Sequence, residues 1–96
     1  KPNAWEKFWG ERALELWKNP WANQKDLAVA IVKGDSLKSL SETQVLTKLG
    51  EPSSLPNFYR KEYELPLTGG ESVCNLCLEC DRNTKTVTHS YIETGY

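Results

Sequence analysis

Apolar residues recur along the first third of the chain at the spacing of a helix. Trp5, Phe8, Trp9, Ala13, Leu16 and Trp17 fall on one face, and Lys7, Glu11, Glu15 and Lys18 on the other. Asn3 is placed to cap this helix, with Glu6 reaching back to close the cap. Asn19-Pro20 interrupts the pattern. A second helix is expected to start at Asn19 with Pro20 in its first position, or alternatively at Asn23. It carries Trp21, Leu27, Ala28, Ile31 and Val32 and ends at Gly34. The third helix, over 42–49, is bounded by signals on both sides. Ser41 and Gln44 form a capping box, and Leu40 can staple onto Val45. Val45, Leu46 and Leu49 make its apolar face, Gly50 offers a left-handed stop, and Pro52 prevents continuation.

Beyond Pro52 the period shortens to two. Tyr59, Tyr63, Leu65 and Leu67 share one face of an expected strand over 58–67, with Lys61 as the odd member, and Pro66 marks an edge or an end. Thr68-Gly69-Gly70-Glu71 is turn material. Ser72 to Asp81 reads as a second strand, Arg82-Asn83-Thr84 as a turn, and Lys85 to Glu93 as a third strand. Short connections between consecutive strands predict an antiparallel meander. The fold class is therefore α+β: N-terminal helices packed on one face of an antiparallel meander of about three strands. The chain reads as a single domain over 1–96, with a helical half at 1–52 and a meander half at 53–96.

The 96 residues support one core of limited size, which disfavours an internal catalytic cavity. Twelve Lys and Arg stand against 13 Asp and Glu, interspersed, so no broad field favours nucleic acid. No apolar run reaches the roughly 18 residues of a membrane span. The absent initiator Met implies a trimmed N-terminus, with which a signal peptide would have gone.

Cys74-x2-Cys77-x2-Cys80 invites a zinc or iron–sulfur reading, and His89 could complete a Cys3His set on paper. Strand geometry opposes it. Cys74, Leu76, Leu78 and Cys80 share one apolar face, while Val73, Asn75, Cys77 and Glu79 share the other. The three thiols then cannot converge. Cys74 and Cys80 lie about 20 Å apart along a strand, beyond the roughly 7 Å that a disulfide spans. Three free thiols are expected, which favours a reducing compartment. Cys77 is the candidate for reactivity or for an intermolecular bridge, with nothing local to lower its pKa and Glu79 along the same face to raise it.

Nothing else assembles a reaction centre. His89 lacks a placed nucleophile and a third member. The carboxylates form no close pair in an apolar setting, and Gly69-Gly70 lacks the strand, helix and Lys of a phosphate loop. The aromatics of the first helix are expected mainly to cover the sheet as core. Four Trp nonetheless exceed what a core of this size requires, with Trp5 the best candidate for exposure.

From Leu40 through Val45, Leu46, Leu49, Gly50 and Pro52, then Tyr59 or Tyr63, Leu76, Leu78, Asp81-Arg82-Asn83 and Val87, the chain resembles a family of envelope domains. These are the SmpA/OmlA lipoprotein domain of outer-membrane assembly and the beta-lactamase-inhibitor-like fold. The resemblance covers residues 27–92. It implies helices followed by a meander, and a protein that acts by binding other proteins with its sheet face and loops. The chain departs from that family in having Ser39-Leu40-Ser41 before the short helix and an aromatic helix where the lipid-bearing cysteine would be.

The expected function is a non-enzymatic protein-interaction module with no cofactor and no metal. Its contacts are expected at Trp5, Trp9, Tyr59 and Tyr63, with a homodimer through the edge strand 58–67 as a further route. The alternatives are a thiol or metal protein using Cys74, Cys77 and Cys80, and a carrier of small apolar ligands. The free thiols place it in the cytoplasm, or in the periplasm or envelope if a leader was removed.

Overall fold

A computed structural model describes residues 1–53 and 59–96. Helix α1 spans Ala4–Leu16, α2 Gln24–Lys33 and α3 Glu42–Leu49. Each begins where a side-chain oxygen takes up orphan amides. Asn3 and Ser41 close full capping boxes with Glu6 and Gln44. Asn23, rather than Asn19, caps α2, accepting from the amides of Lys25 and Asp26. The start at Asn19 is thereby corrected: the Asn19 side chain accepts from the Trp21 amide instead. Pro20 and Trp21 lie in a turn outside the helix, and the Trp21 indole is 93% exposed.

α2 ends at Gly34, and the left-handed residue is the next one, Asp35, at φ 51°. α3 ends at Gly50, which adopts φ 86° and ψ −165°. That region is open essentially to glycine alone.

Strands β1 (Arg60–Glu64), β2 (Val73–Cys80) and β3 (Val87–Gly95) form an antiparallel sheet in the order β1-β2-β3. β1 is shorter than the expected 58–67. Phe58 lies outside the described residues, and Pro66 and Leu67 follow the strand's end. β3 starts and ends two residues later than expected, because Asp81 organises the turn before it. The Asp81 carboxylate accepts from the amides of Asn83 and Thr84, and Lys85 closes the turn at φ 56°. A bulge at Glu79/Cys80 adjusts the register there.

The sheet's inner face carries Lys61, Tyr63 and Leu65, then Cys74, Leu76 and Leu78, then Val87 and Ser90, all buried. Ala28, Ile31, Leu37, Val45 and Leu49 close the core over them. Lys61, the odd member of its strand's apolar face, reaches out of this layer to place Nζ 3.1 Å from Glu42 Oε2. Trp17, just past α1, donates from Nε1 to the Leu49 carbonyl at 3.1 Å and meets the Tyr63 ring edge-on.

α1 packs mainly on α2 rather than on the sheet. Its buried line is Gly10, Ala13 and Trp17, and Gly10 faces Gly34 at a close approach. The expectation that Phe8 and Trp9 cover the sheet as core is corrected here, and Trp5 is exposed as expected. With Gly10 against α2, those three rings turn outward, 69%, 54% and 55% exposed. Among the described residues no helix is long and apolar enough to cross a membrane.

Candidate functional site

Among the described residues, the outer side of α1 holds the largest concentration of exposed aromatic surface. Trp5 and Phe8 meet edge-on at 6.3 Å between ring centres, and Phe8 and Trp9 at 5.2 Å. This T-shaped arrangement is the favoured geometry of aromatic pairs. Beside it, Trp5 and Trp9 form one wall of a groove of about 290 Å³ between α1 and α2. Val29 and Ala30 line the groove, and Glu6, Asp26 and Lys33 also border it. The charges are mixed, so the site selects neither anion nor cation strongly. Its chemistry is apolar contact with a polar border, which suits an apolar side chain flanked by polar ones.

The other two expected contact residues separate. Tyr59 is 39% exposed, with the Arg82 guanidinium 3.8 Å over its ring. Tyr63 is corrected from surface to core. It is 4% exposed, its hydroxyl donates to the Gly50 carbonyl at 2.8 Å, and burial pushes its pKa up to about 12. The register puts Tyr63 on the inner face opposite Leu76, away from the outer sheet surface.

The outer sheet face carries a polar knot that the sequence pattern does not reveal. Glu62, Cys77 and Tyr91 align across the three strands. Arg60 Nη2 lies 2.9 Å from Glu62 Oε2, 3.2 Å from Glu93 Oε2 and 3.8 Å from Cys77 Sγ. The ligand atoms of Glu62, Cys77 and Glu93 all fall within 4.8 Å of one another, the spacing of a metal site. The guanidinium already bonds all three and supplies the positive charge this cluster calls for.

Cys77 is fully buried beneath these groups, contrary to its expected role as the reactive thiol. Burial pushes its pKa up, while the Arg60 hydrogen bond works in the opposite direction. A local group therefore does act to lower it, and burial rather than Glu79 raises it. Cys74 belongs to the core on the opposite face, and Cys80 packs at its margin with its pKa also raised by burial. The three thiols are free and point to two sides of the sheet. His89 is exposed and stacks on Tyr91 at 5.3 Å, and it forms no part of the Glu62–Cys77–Glu93 group.

A second knot joins distant elements. The Glu71 carboxylate, nearly sealed from solvent, accepts from the amides of Thr68 and Gly69 and from Lys25 Nζ at 2.8 Å. Lys25, then the backbone donors, hold its pKa down at about 2. The Gly69-Gly70 turn thus binds an internal anion. Neither knot was readable in advance, because each joins residues far apart in the chain.

The homodimer route through 58–67 is partly closed. On the outer edge of β1, the Ser53 amide donates to the Glu62 carbonyl at 2.7 Å, and the Glu64 amide donates to Ser53 Oγ at 3.1 Å. At the other edge, Val87 exchanges backbone bonds with Ser39 and Leu40.

Comparison with protein families, with characterised proteins and with solved structures found no match for this chain.

Proposed function

We propose that this domain is a non-enzymatic protein-interaction module whose contact surface is the outer side of α1. The observation that carries this reading is the exposure of Trp5, Phe8 and Trp9, in mutual edge-on contact, on a helix whose buried side is complete without them. Contiguous exposed apolar patches mark interaction sites, and Trp is enriched at the energetic centres of interfaces. Tyr59, with Arg82 on its ring, is a second aromatic contact on another part of the surface. The resemblance to envelope domains that bind proteins points the same way.

The test uses a photo-activated crosslinking residue in place of Phe8, with Thr43, an exposed residue of α3, as control. Protein adducts formed at position 8, absent at position 43 and lost on Trp5→Ala with Trp9→Ala, support the reading. Equal adducts at both positions, or none at position 8, overturn it. Because Trp5 and Trp9 are exposed, their removal is expected to leave the unfolding midpoint almost unchanged.

A further inference from the structure

We propose that the outer edge of β3 pairs with the same edge of a second copy of this chain, antiparallel about a two-fold axis at Thr94, so that the two sheets become one. The inference concerns a surface apart from α1 and stands without the α1 reading.

The ladder decides which backbone groups of β3 are left over. The Leu65 amide bonds to the Cys74 carbonyl and the Cys80 amide to the Tyr59 carbonyl. The even-numbered residues of β2 therefore bond to β1 and the odd-numbered ones to β3. Asn75, Cys77 and Glu79 face Glu93, Tyr91 and His89, whose backbone groups thus point inward. Those of Ser90, Ile92 and Thr94 point outward. Val87, beyond the bulge, also points outward and is closed by Ser39 and Leu40. Among the described residues nothing bonds to the outward groups of Ile92 and Thr94. Such a row is a template for a further strand. β1 is guarded against one by Arg60, Lys61, Glu62 and Glu64, by Pro66 just beyond it, and by the bonds from Ser53. From Val87 to Tyr96 there is no Lys, Arg or Pro, and Glu93 is the one carboxylate side chain.

A two-fold interface must be self-complementary, and this selects the register. Centring on Ile92 sets Thr94 of the second copy against Ser90, which is only 6% exposed. Centring on Glu93 sets two carboxylates directly opposite each other, a destabilising pair. Centring on Thr94 avoids both. Thr94 then exchanges backbone bonds with its counterpart, and Ile92 with Tyr96. Glu93 falls opposite Gly95, which has no side chain to oppose it. Ile92 falls opposite Tyr96, a favoured pairing of β-branched and aromatic side chains that covers a ring 90% exposed in the single copy.

A strand pair this short buries less than the roughly 1,200–2,000 Å² of a standard interface. The dissociation constant is accordingly expected between micromolar and millimolar. The experiment is sedimentation velocity of the purified chain across that range, where wild type should pass from monomer to dimer. Thr94→Pro deletes an outward N–H that the β2 ladder does not use and should abolish association. Thr94→Lys keeps the N–H but opposes two ammonium groups at the axis. It should weaken association about fivefold, with partial recovery in high salt. Thr94 is exposed, so circular dichroism should show unchanged folding in both variants. In wild type, hydrogen exchange at the Ile92 and Thr94 amides should slow as concentration rises, while the Tyr91 and Glu93 amides, already in the ladder, stay constant. A wild type that stays monomeric, a dimer untouched by Thr94→Pro, or a dimer lost instead on Trp5→Ala with Trp9→Ala overturns the proposal. If the chain is monomeric and still crosslinks to another protein through position 8, the β3 pairing is wrong and the α1 contact reading stands.

Discussion

Gly10 and Gly34 meet backbone to backbone where α1 crosses the end of α2. A β-carbon built on Gly10 would lie 3.2 Å from the Gly34 α-carbon and 3.0 Å from the Ala30 carbonyl oxygen, besides overlapping Ser36 Oγ. One built on Gly34 would lie 3.1 Å from the Gly10 α-carbon and would overlap the Glu6 carbonyl. Apart from Ser36 Oγ, which is a side-chain atom, these contacts are to backbone, which cannot rotate out of the way. Gly10→Ala and Gly34→Ala are each expected to lower stability by about 1–3 kcal/mol, because the helices must separate to admit a methyl group. Urea unfolding followed by Trp fluorescence measures it. An unchanged midpoint in both variants would show that the helices are not held this closely.

Ser36 sits at the same crossing, and its hydroxyl is buried with no hydrogen-bond partner among the described residues. Ser36→Ala removes an unsatisfied group without disturbing the glycines. It is expected to be neutral or stabilising by about 1 kcal/mol. A clear loss in the same urea assay would mean that the hydroxyl has a partner.

Tyr63 of β1 and Trp17 at the end of α1 both bond to the end of α3, through the carbonyls of Gly50 and Leu49. Tyr63→Phe keeps the ring in the core and deletes only the hydroxyl. The expected cost is about 1–3 kcal/mol, since a hydrogen bond is lost and the Gly50 carbonyl loses this donor. Chemical denaturation with an unchanged m-value is the check. Because the residue is buried, association through α1 should be unaffected, and a partner-binding defect at constant stability would return Tyr63 to the surface reading.

The Glu71 knot makes stability depend on acid. The carboxylate's pKa falls from 4.5 to about 2 on folding. A group whose folded pKa is depressed stabilises the fold above its unfolded value and loses that contribution as pH drops through its folded value. Lys25 shifts the opposite way, raised first by its bond to Glu71, so its contribution is full below its ordinary value and is lost only at strongly alkaline pH. The pair therefore stabilises across the neutral range. Glu71→Gln should lower the melting temperature near pH 7, and the gap to wild type should close as pH falls from 4.5 toward 2. A gap that stays constant over that interval would exclude the carboxylate as its source.

Thiol chemistry separates the three cysteines. In the native protein Cys74 and Cys77 are sealed and Cys80 is half-buried. A disulfide reagent at neutral pH should modify Cys80 first and the other two only with unfolding. All three should react in denaturant. Fast native modification of Cys77 would mean that the Arg60–Glu62–Glu93 cover opens readily and would revive it as a functional thiol.

The elements legible in the sequence are those decided within a few residues. The boxes at Asn3/Glu6 and Ser41/Gln44 depend on a side chain reaching an amide three positions away, and the Gly50 stop depends on one residue's freedom to adopt positive φ. Period-two alternation likewise separates Cys77 from Cys74 and assigns Lys61 to the inner face. What tertiary structure decided is which competing local signal prevails and which surface is left over. Both Asn19 and Asn23 can cap a helix, and the fold uses Asn23. α1 offers an aromatic line and a line of small residues ending in Trp17. The small line is buried because Gly10 finds Gly34, a contact with a residue 24 positions away that no periodicity in α1 encodes. The same closeness turns Trp5, Phe8 and Trp9 outward. Short-range hydrogen bonding and side-chain period are written in the chain, whereas burial follows from long-range contact between particular surfaces, and the candidate site follows from burial.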